Sequence, residues 1–168
     1  RRKYWDLYEG APECEPPEPV AYDDMDPHSQ RLMDACDWRG MEITPDHIRR
    51  AKRAYFANIS YIDDKIGEIL AVLEATRQQA HIVFLSDHGE MLGEKGLWFK
   101  MNFFEGSARV PLMIAAPEMP AGLVETAVSS IDLAPTLAAL AGISMDEVAP
   151  WTEGVNLIPV SNGAPRGP

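Results

Sequence analysis

His81-Ile82-Val83-Phe84-Leu85-Ser86-Asp87-His88-Gly89-Glu90 is the stretch that decides the fold class of this chain. Residues 81–85 are apolar and partly β-branched, which predicts a short buried strand. A long helical pattern stands before it and a loop motif directly after it. Helix, short link and buried strand is the order of an α/β sheet. In open α/β sheets, ligands bind beyond the carboxyl ends of the strands. Asp87 and His88 stand at such an end. A carboxylate oxygen and a neutral imidazole nitrogen can both reach one metal, and Gly89 lets the backbone turn tightly behind them. On these residues alone the plainer account prevails, a strand-end Asp capping the next turn beside an ordinary surface His.

Working outward, residues 45–77 form the clearest helix. Thr44 is the expected N-cap, Pro45 the first-turn residue, and Asp46 suits the positive helix end. Ile48, Ala51, Tyr55, Ile59, Ile62, Ile66, Ile69 and Val72 or Leu73 recur at helical spacing. Arg49, Arg50, Lys52, Arg53, Asp63, Asp64 and Glu68 fall mostly on the other face, so the helix is expected to pack on a sheet. Val110 to Ala115 is a second buried-strand candidate. Ser130 to Ala141 predicts a further helix, with Gly142 as its stop. Residues 10–30 are expected to be a solvated acidic loop, since six residues from Gly10 to Pro27 are Gly or Pro.

Composition narrows the partners. The net charge is −11, from 26 acids against 15 bases. This disfavours nucleic acid, whose binders neutralise phosphates with Lys and Arg. It also disfavours docking to an anionic membrane, and no apolar run approaches the roughly 18 residues of a span. Two cysteines, Cys14 and Cys36, are too few for a disulfide framework, so a reducing, cytoplasmic compartment is expected. The first residue is Arg1 rather than Met, so the N-terminus is expected to be cut.

The continuation of the loop motif changes the weight of the Asp-His pair. Residues 85–114 read LSDHGEMLGEKGLWFKMNFFEGSARVPLMI. The ordered elements are Ser86 to Gly89, Leu92-Gly93, Gly96-Leu97-Trp98-Phe99-Lys100, and Glu105 with Arg109-Val110-Pro111. This resembles the sulfatase family of the alkaline-phosphatase superfamily, and its choline-sulfatase-like members in particular. Weaker likeness runs through Tyr55 to Ile59, Asp63 to Leu70, Ile131 to Thr136 and Gly154 to Pro159. The resemblance implies an α/β sandwich with a mixed central sheet, present only in part. It divides the chain into a loop-rich segment over 1–44, the C-terminal part of the catalytic domain over 45–160, and a tail over 161–168.

By the same resemblance, Asp87 and His88 are ligands of a divalent cation, most often Ca2+, and Lys100 contacts the sulfate as a substrate-binding and catalytic residue. A lysine is a suitable point charge for a sulfate oxygen and for negative charge on a leaving group. The implied activity is hydrolysis of a small sulfate ester such as choline sulfate by a formylglycine nucleophile. A homo-oligomer is compatible with this. A phosphonate or phosphate monoester hydrolase of the same superfamily, and a non-catalytic fragment or binding module, stay open. Trp98, Phe99, Phe103 and Phe104 are either a surface for a quaternary ammonium or core packing. Glu105 and Arg109 are expected to form an i,i+4 ion pair.

Three departures from the family pattern matter. Lys95 stands where many sulfatases have His, and choline-sulfatase-like members tend to have a basic residue there. The nucleophile motif, Cys or Ser followed by x-Pro-x-Arg, is missing. Cys14-Glu15-Pro16-Pro17-Glu18 begins like it but has Glu18 in place of Arg, so Cys14 is read as an ordinary loop cysteine. The N-terminal Asp-Asp metal pair is also missing, because neither Asp23-Asp24 nor Asp63-Asp64 follows an apolar strand. The formylglycine is therefore expected in a segment outside these residues. Asp87, His88 and Lys100 are expected to point into one cleft.

Overall fold

The computed structural model describes residues 2–18, 20–148, 150 and 152–166. It divides into two compact units, one of residues 1–78 with 88–110, the other of residues 79–87 with 111–168. The division falls between Asp87 and His88.

The first unit is helical. It contains α1 (Arg2–Leu7), α2 (Pro27–Ala35), the long α3 (Pro45–Thr76) and the single-turn α4 (Glu105–Ala108). Both ends of α3 have identifiable causes. Thr44 accepts the amide of His47 as N-cap, with Pro45 in the first turn. At the far end Arg77 turns left-handed (φ 51°) and the amide of Gln78 reaches back to the carbonyl of Leu73. Residues 10–30 are more structured than expected. They hold short 3-10 turns at Pro12–Cys14 and Tyr22–Asp24, and the start of α2, which Asp26 caps through the amides of His28 and Ser29.

Within this unit α3 meets α1 and the Pro12–Cys14 turn. The contact uses residues of the charged face, opposite the apolar stripe. Asp64 accepts from Lys3 Nζ (2.9 Å) and Tyr4 Oη (2.7 Å). Arg53 donates to the Trp5 carbonyl while its guanidinium lies 4.4 Å from the Trp5 ring centre. Tyr4 meets Tyr61 edge-on, and Tyr8 stacks on Phe56. Long charged side chains cover apolar surface with their stems and still satisfy their ends, so the charged face accepts a helix rich in aromatics. Ile69 and Val72, from the apolar stripe, are each 62 % exposed.

The second unit carries β1 (Ile82–Leu85) and β2 (Leu112–Ala115), paired antiparallel with Ile82 opposite Ala115 and Leu85 opposite Leu112. Both strands stand where the apolar runs placed them. The burial differs from expectation. Ile82 and Leu85 are exposed, and only Val83 and Phe84 are half-buried. The reason is the size of the sheet, which has two strands among the described residues, so each strand keeps one unpaired edge.

The rest of the unit is α5 (Leu133–Leu140), α6 (Met145–Val148) and α7 (Leu157–Ser161). The expected stop of α5 is met. Gly142 adopts φ 74°, and the amides of Gly142 and Ile143 return to the carbonyls of Ala139 and Ala138. The unit is fastened at Asp132, which is fully buried. Its carboxylate accepts from the amides of Ser129 and Val155 and from both Nε and Nη2 of Arg166, each near 2.8 Å. Gly154 passes so close that a Cβ there would lie 2.1 Å from the Ile131 carbonyl oxygen.

Candidate functional site

The loop after β1 begins with a close backbone crossing. The Gly89 amide donates to the Ser107 carbonyl at 2.8 Å, and a Cβ at Gly89 would lie 2.0 Å from the Gly106 carbonyl oxygen. Only glycine fits there. This seats His88 at the crossing with α4.

Beyond it, residues 91–99 fold back on themselves. Met91 donates to the Phe99 carbonyl (2.8 Å) and Gly93 to the Leu97 carbonyl (2.9 Å). Met91 and Leu97, 1 % and 0 % exposed, anchor this hairpin-like loop on Trp38. The turn needs left-handed backbone at Leu92, Lys95, Phe99 and Met101, besides Gly93 and Gly96. Each non-glycine residue held there costs about 1–2 kcal/mol, so the contacts holding the loop must offset several. They are visible. Glu90 Oε1 accepts the amides of Phe99 (2.5 Å) and Leu92 (3.2 Å). His28 Nε2 donates to the Met101 carbonyl at 2.8 Å. The Lys95 ammonium lies 4.9 Å from the Phe104 ring centre.

The product of this folding is a contact between His88 Nε2 and Lys100 Nζ. An ammonium can only donate, so Nε2 presents its lone pair. The other ring nitrogen agrees, since His88 Nδ1 lies 2.9 Å from the Gly89 carbonyl oxygen, which can only accept. This is the tautomer of metal-binding histidines, one nitrogen tied to a backbone carbonyl and the other offering its lone pair. His88 and Lys100 are thus brought together. Asp87 precedes them in the chain and belongs to the other unit.

The remaining sequence readings divide. Glu105 and Arg109 form the expected ion pair at 3.3 Å, with both side chains exposed. Trp98 and Phe104 pack against the Trp38, Met91 and Leu97 core. Phe99 is half exposed against Trp38, and Phe103 is 95 % exposed. Cys14 is a buried free thiol, and the neighbouring Glu15 pairs with Arg49 at 3.0 Å. Asp64 serves α1. Sequence reasoning missed Glu90 and Asn102. The only signal for Glu90 was its place in the motif. Asn102 accepts the Phe104 amide through Oδ1, while its buried Nδ2 has no partner among the described residues.

A model of the sulfatase family matches residues 9–143. The chain belongs to the sulfatase family. It is 56 % identical to a choline-sulfatase of Rhizobium meliloti (strain 1021), over 99 % of its own length and 33 % of that protein. It is 34 % identical to arylsulfatase K of Homo sapiens, covering 71 % of this chain and 22 % of that one. Among solved structures it resembles the phosphonate monoester hydrolase of Agrobacterium radiobacter (TM-score 0.62, 31 % identity, 74 % of this chain and 25 % of that one). It also resembles an enzyme solved with its substrate D-glucosamine-2-N,6-O-disulfate (TM-score 0.61, 26 % identity, 88 % and 32 %). The chain therefore spans about a third or less of the length of these relatives. The fold is that of the alkaline-phosphatase-like sulfatases, in part.

Sulfatases generally use a divalent metal ion and a formylglycine. Among the described residues no group of three or more His, Cys, Asp or Glu is placed to hold a metal. The donor chemistry nonetheless fits part of a metal shell, because His88 presents a lone pair in the ligand tautomer. No helix of the described residues is long and apolar enough to cross a membrane.

Proposed function

We propose that this chain supplies one side of a sulfuric ester hydrolase site of choline-sulfatase type, acting on a small sulfate ester, with residues 45–160 as the C-terminal part of the catalytic domain. The observation that carries the reading is the delivery of Lys100 to His88 on a loop whose sequence follows the family motif. Asp87 and His88 would hold a divalent cation, Ca2+ by the resemblance, together with donors outside these 168 residues, since calcium takes about 6–8 ligands. When bound, the ion polarises the sulfate and favours an ionised nucleophile. Lys100 holds the anion and stabilises charge developing on the leaving oxygen. One lone pair cannot serve an ion and the ammonium at once, so with a metal held at His88 the lysine would be left to contact the anion. The two unpaired cysteines, Cys14 and Cys36, suit a cytoplasmic setting.

The test uses the complete sulfatase polypeptide, in which these residues are joined to the rest of the domain. Asp87→Ala should weaken calcium binding, so that activity recovers in part as calcium is raised. Lys100→Ala should leave the calcium titration unchanged and lower turnover by about 100-fold, the usual loss on removing one group that stabilises transition-state charge. Identical calcium titrations for Asp87→Ala and the parent would remove the ligand assignment.

A second reading is favoured by the likeness to the phosphonate monoester hydrolase. Parallel kcat/KM values for choline sulfate and a phosphonate monoester decide between the two.

A further inference from the structure

We propose that Glu90 is the positioning residue of Lys100. The inference rests on the sulfate-contact reading of Lys100 and extends it to the group that aims the lysine. One carboxylate oxygen, Glu90 Oε1, accepts the amides of Phe99 at 2.5 Å and Leu92 at 3.2 Å. Both donors belong to residues in left-handed backbone, φ 63° and 49°. A bulky residue stays in that region only when its surroundings hold it there. An ionised acceptor on the amide is a strong hold, since charge-assisted hydrogen bonds are about twice as strong as neutral ones. The Phe99 peptide is gripped at its other end as well, by the Met91 amide on its carbonyl.

The geometry explains why this matters for the next residue. Lys100 leaves the chain directly after Phe99, and the sign of φ at Phe99 sets the direction in which it leaves. With Phe99 left-handed, the ammonium arrives at His88 Nε2. Were Phe99 to relax to an ordinary negative φ, the lysine stem would point elsewhere. Glu90 itself touches neither His88 nor Lys100 through any of these bonds, so its action on the site runs through the backbone.

The test is made in the complete sulfatase polypeptide with choline sulfate as substrate. Glu90→Ala should lower kcat by about 100-fold, the loss expected when a catalytic group is displaced by about an ångström. Glu90→Gln keeps an acceptor oxygen and should recover most of that loss. The deciding measurement is the double variant. Glu90→Ala combined with Lys100→Ala should be no slower than Lys100→Ala alone, because residues acting through one another are not additive. A second readout does not depend on turnover. In the calcium-free polypeptide, where Lys100 sits on the His88 lone pair, the Nε2 resonance of 15N-labelled His88 should move by the same amount in Glu90→Ala and Lys100→Ala. Additive losses, or an unmoved His88 resonance in Glu90→Ala, would overturn the proposal. If Lys100→Ala turns over at the parent rate, the sulfate-contact reading falls, and the His88 resonance alone decides the role of Glu90. Glu90→Asp keeps the charge but shortens the reach by one methylene, and it is read in the same way should Glu90→Ala not fold.

Discussion

The residue whose chemistry is most fully determined is Asp132. Burial alone pushes its pKa up. The Arg166 guanidinium and the amides of Val155 and Ser129 more than offset this and hold the carboxyl below its ordinary value. A lowered folded-state pKa means that the ionised pair stabilises the protein above the usual Asp range, near pH ~3.9, and that this contribution fades as the pH falls further. Asp132→Asn should cost about 3 kcal/mol at neutral pH, the low end for a buried pair, because Arg166 is a quarter exposed. It should also flatten the acid limb of the stability curve. Amide exchange at Val155, followed across pH in both proteins, checks this, and protection that is equal in both would refute it. The sequence showed Asp132 only as part of a resembling segment. Arg166 lies 34 residues away, and no periodicity or spacing links the two. Thr44 was legible because a cap and its helix are neighbours in the chain. Glu90 was not, because its partner Phe99 is reached only after a turn that uses left-handed residues no local propensity favours.

At the level of elements, helices and strands were read well and their surroundings less so. Residues 45–77, 81–85 and 130–141 were assigned from apolar spacing, and the structure has α3, β1 and the turn leading into α5 there. Spacing cannot say what a face meets. The charged side of α3 receives α1 because Arg53 and Asp64 each find a specific partner on it, and Ser60 bonds Tyr8 just beyond its end. The crossing of Gly89 over α4 was similarly hidden, since glycine in a turn motif suggests conformational freedom, whereas here the demand is for space. Gly89→Ala tests that distinction. A methyl group 2.0 Å from the Gly106 carbonyl must push the two backbones apart. The expected cost is about 1–3 kcal/mol, the usual penalty of overpacking, seen as a lower Tm of the complete polypeptide together with lost turnover. A Tm equal to that of the parent would show that the crossing is looser than described.

At the level of the whole molecule, apolar surface is the dominant fact. Leu123, Phe103, Ile69, Val72 and Met113 are all more than half exposed, and among the described residues the sheet has two unpaired edges. Patches and edges of this kind promote association. The 168-residue chain expressed alone should therefore be poorly soluble or self-associating and should not hydrolyse choline sulfate, since no residue in it matches the nucleophile motif. Co-expression with the remainder of the domain should raise the soluble yield. Sedimentation and a sulfate-release assay check both, and hydrolysis by the purified chain alone would overturn this account. The back-folded loop has a further implication, for protein engineering. Grafting Ser-Asp-His-Gly onto the strand end of another α/β scaffold would not carry the histidine's orientation with it. The glycine needs its crossing partner at 106–107, and the lysine needs the carboxylate at 90 and the hairpin between. A portable version of this loop needs the twenty residues 88–107 together with Trp38 and His28, which brace it from outside.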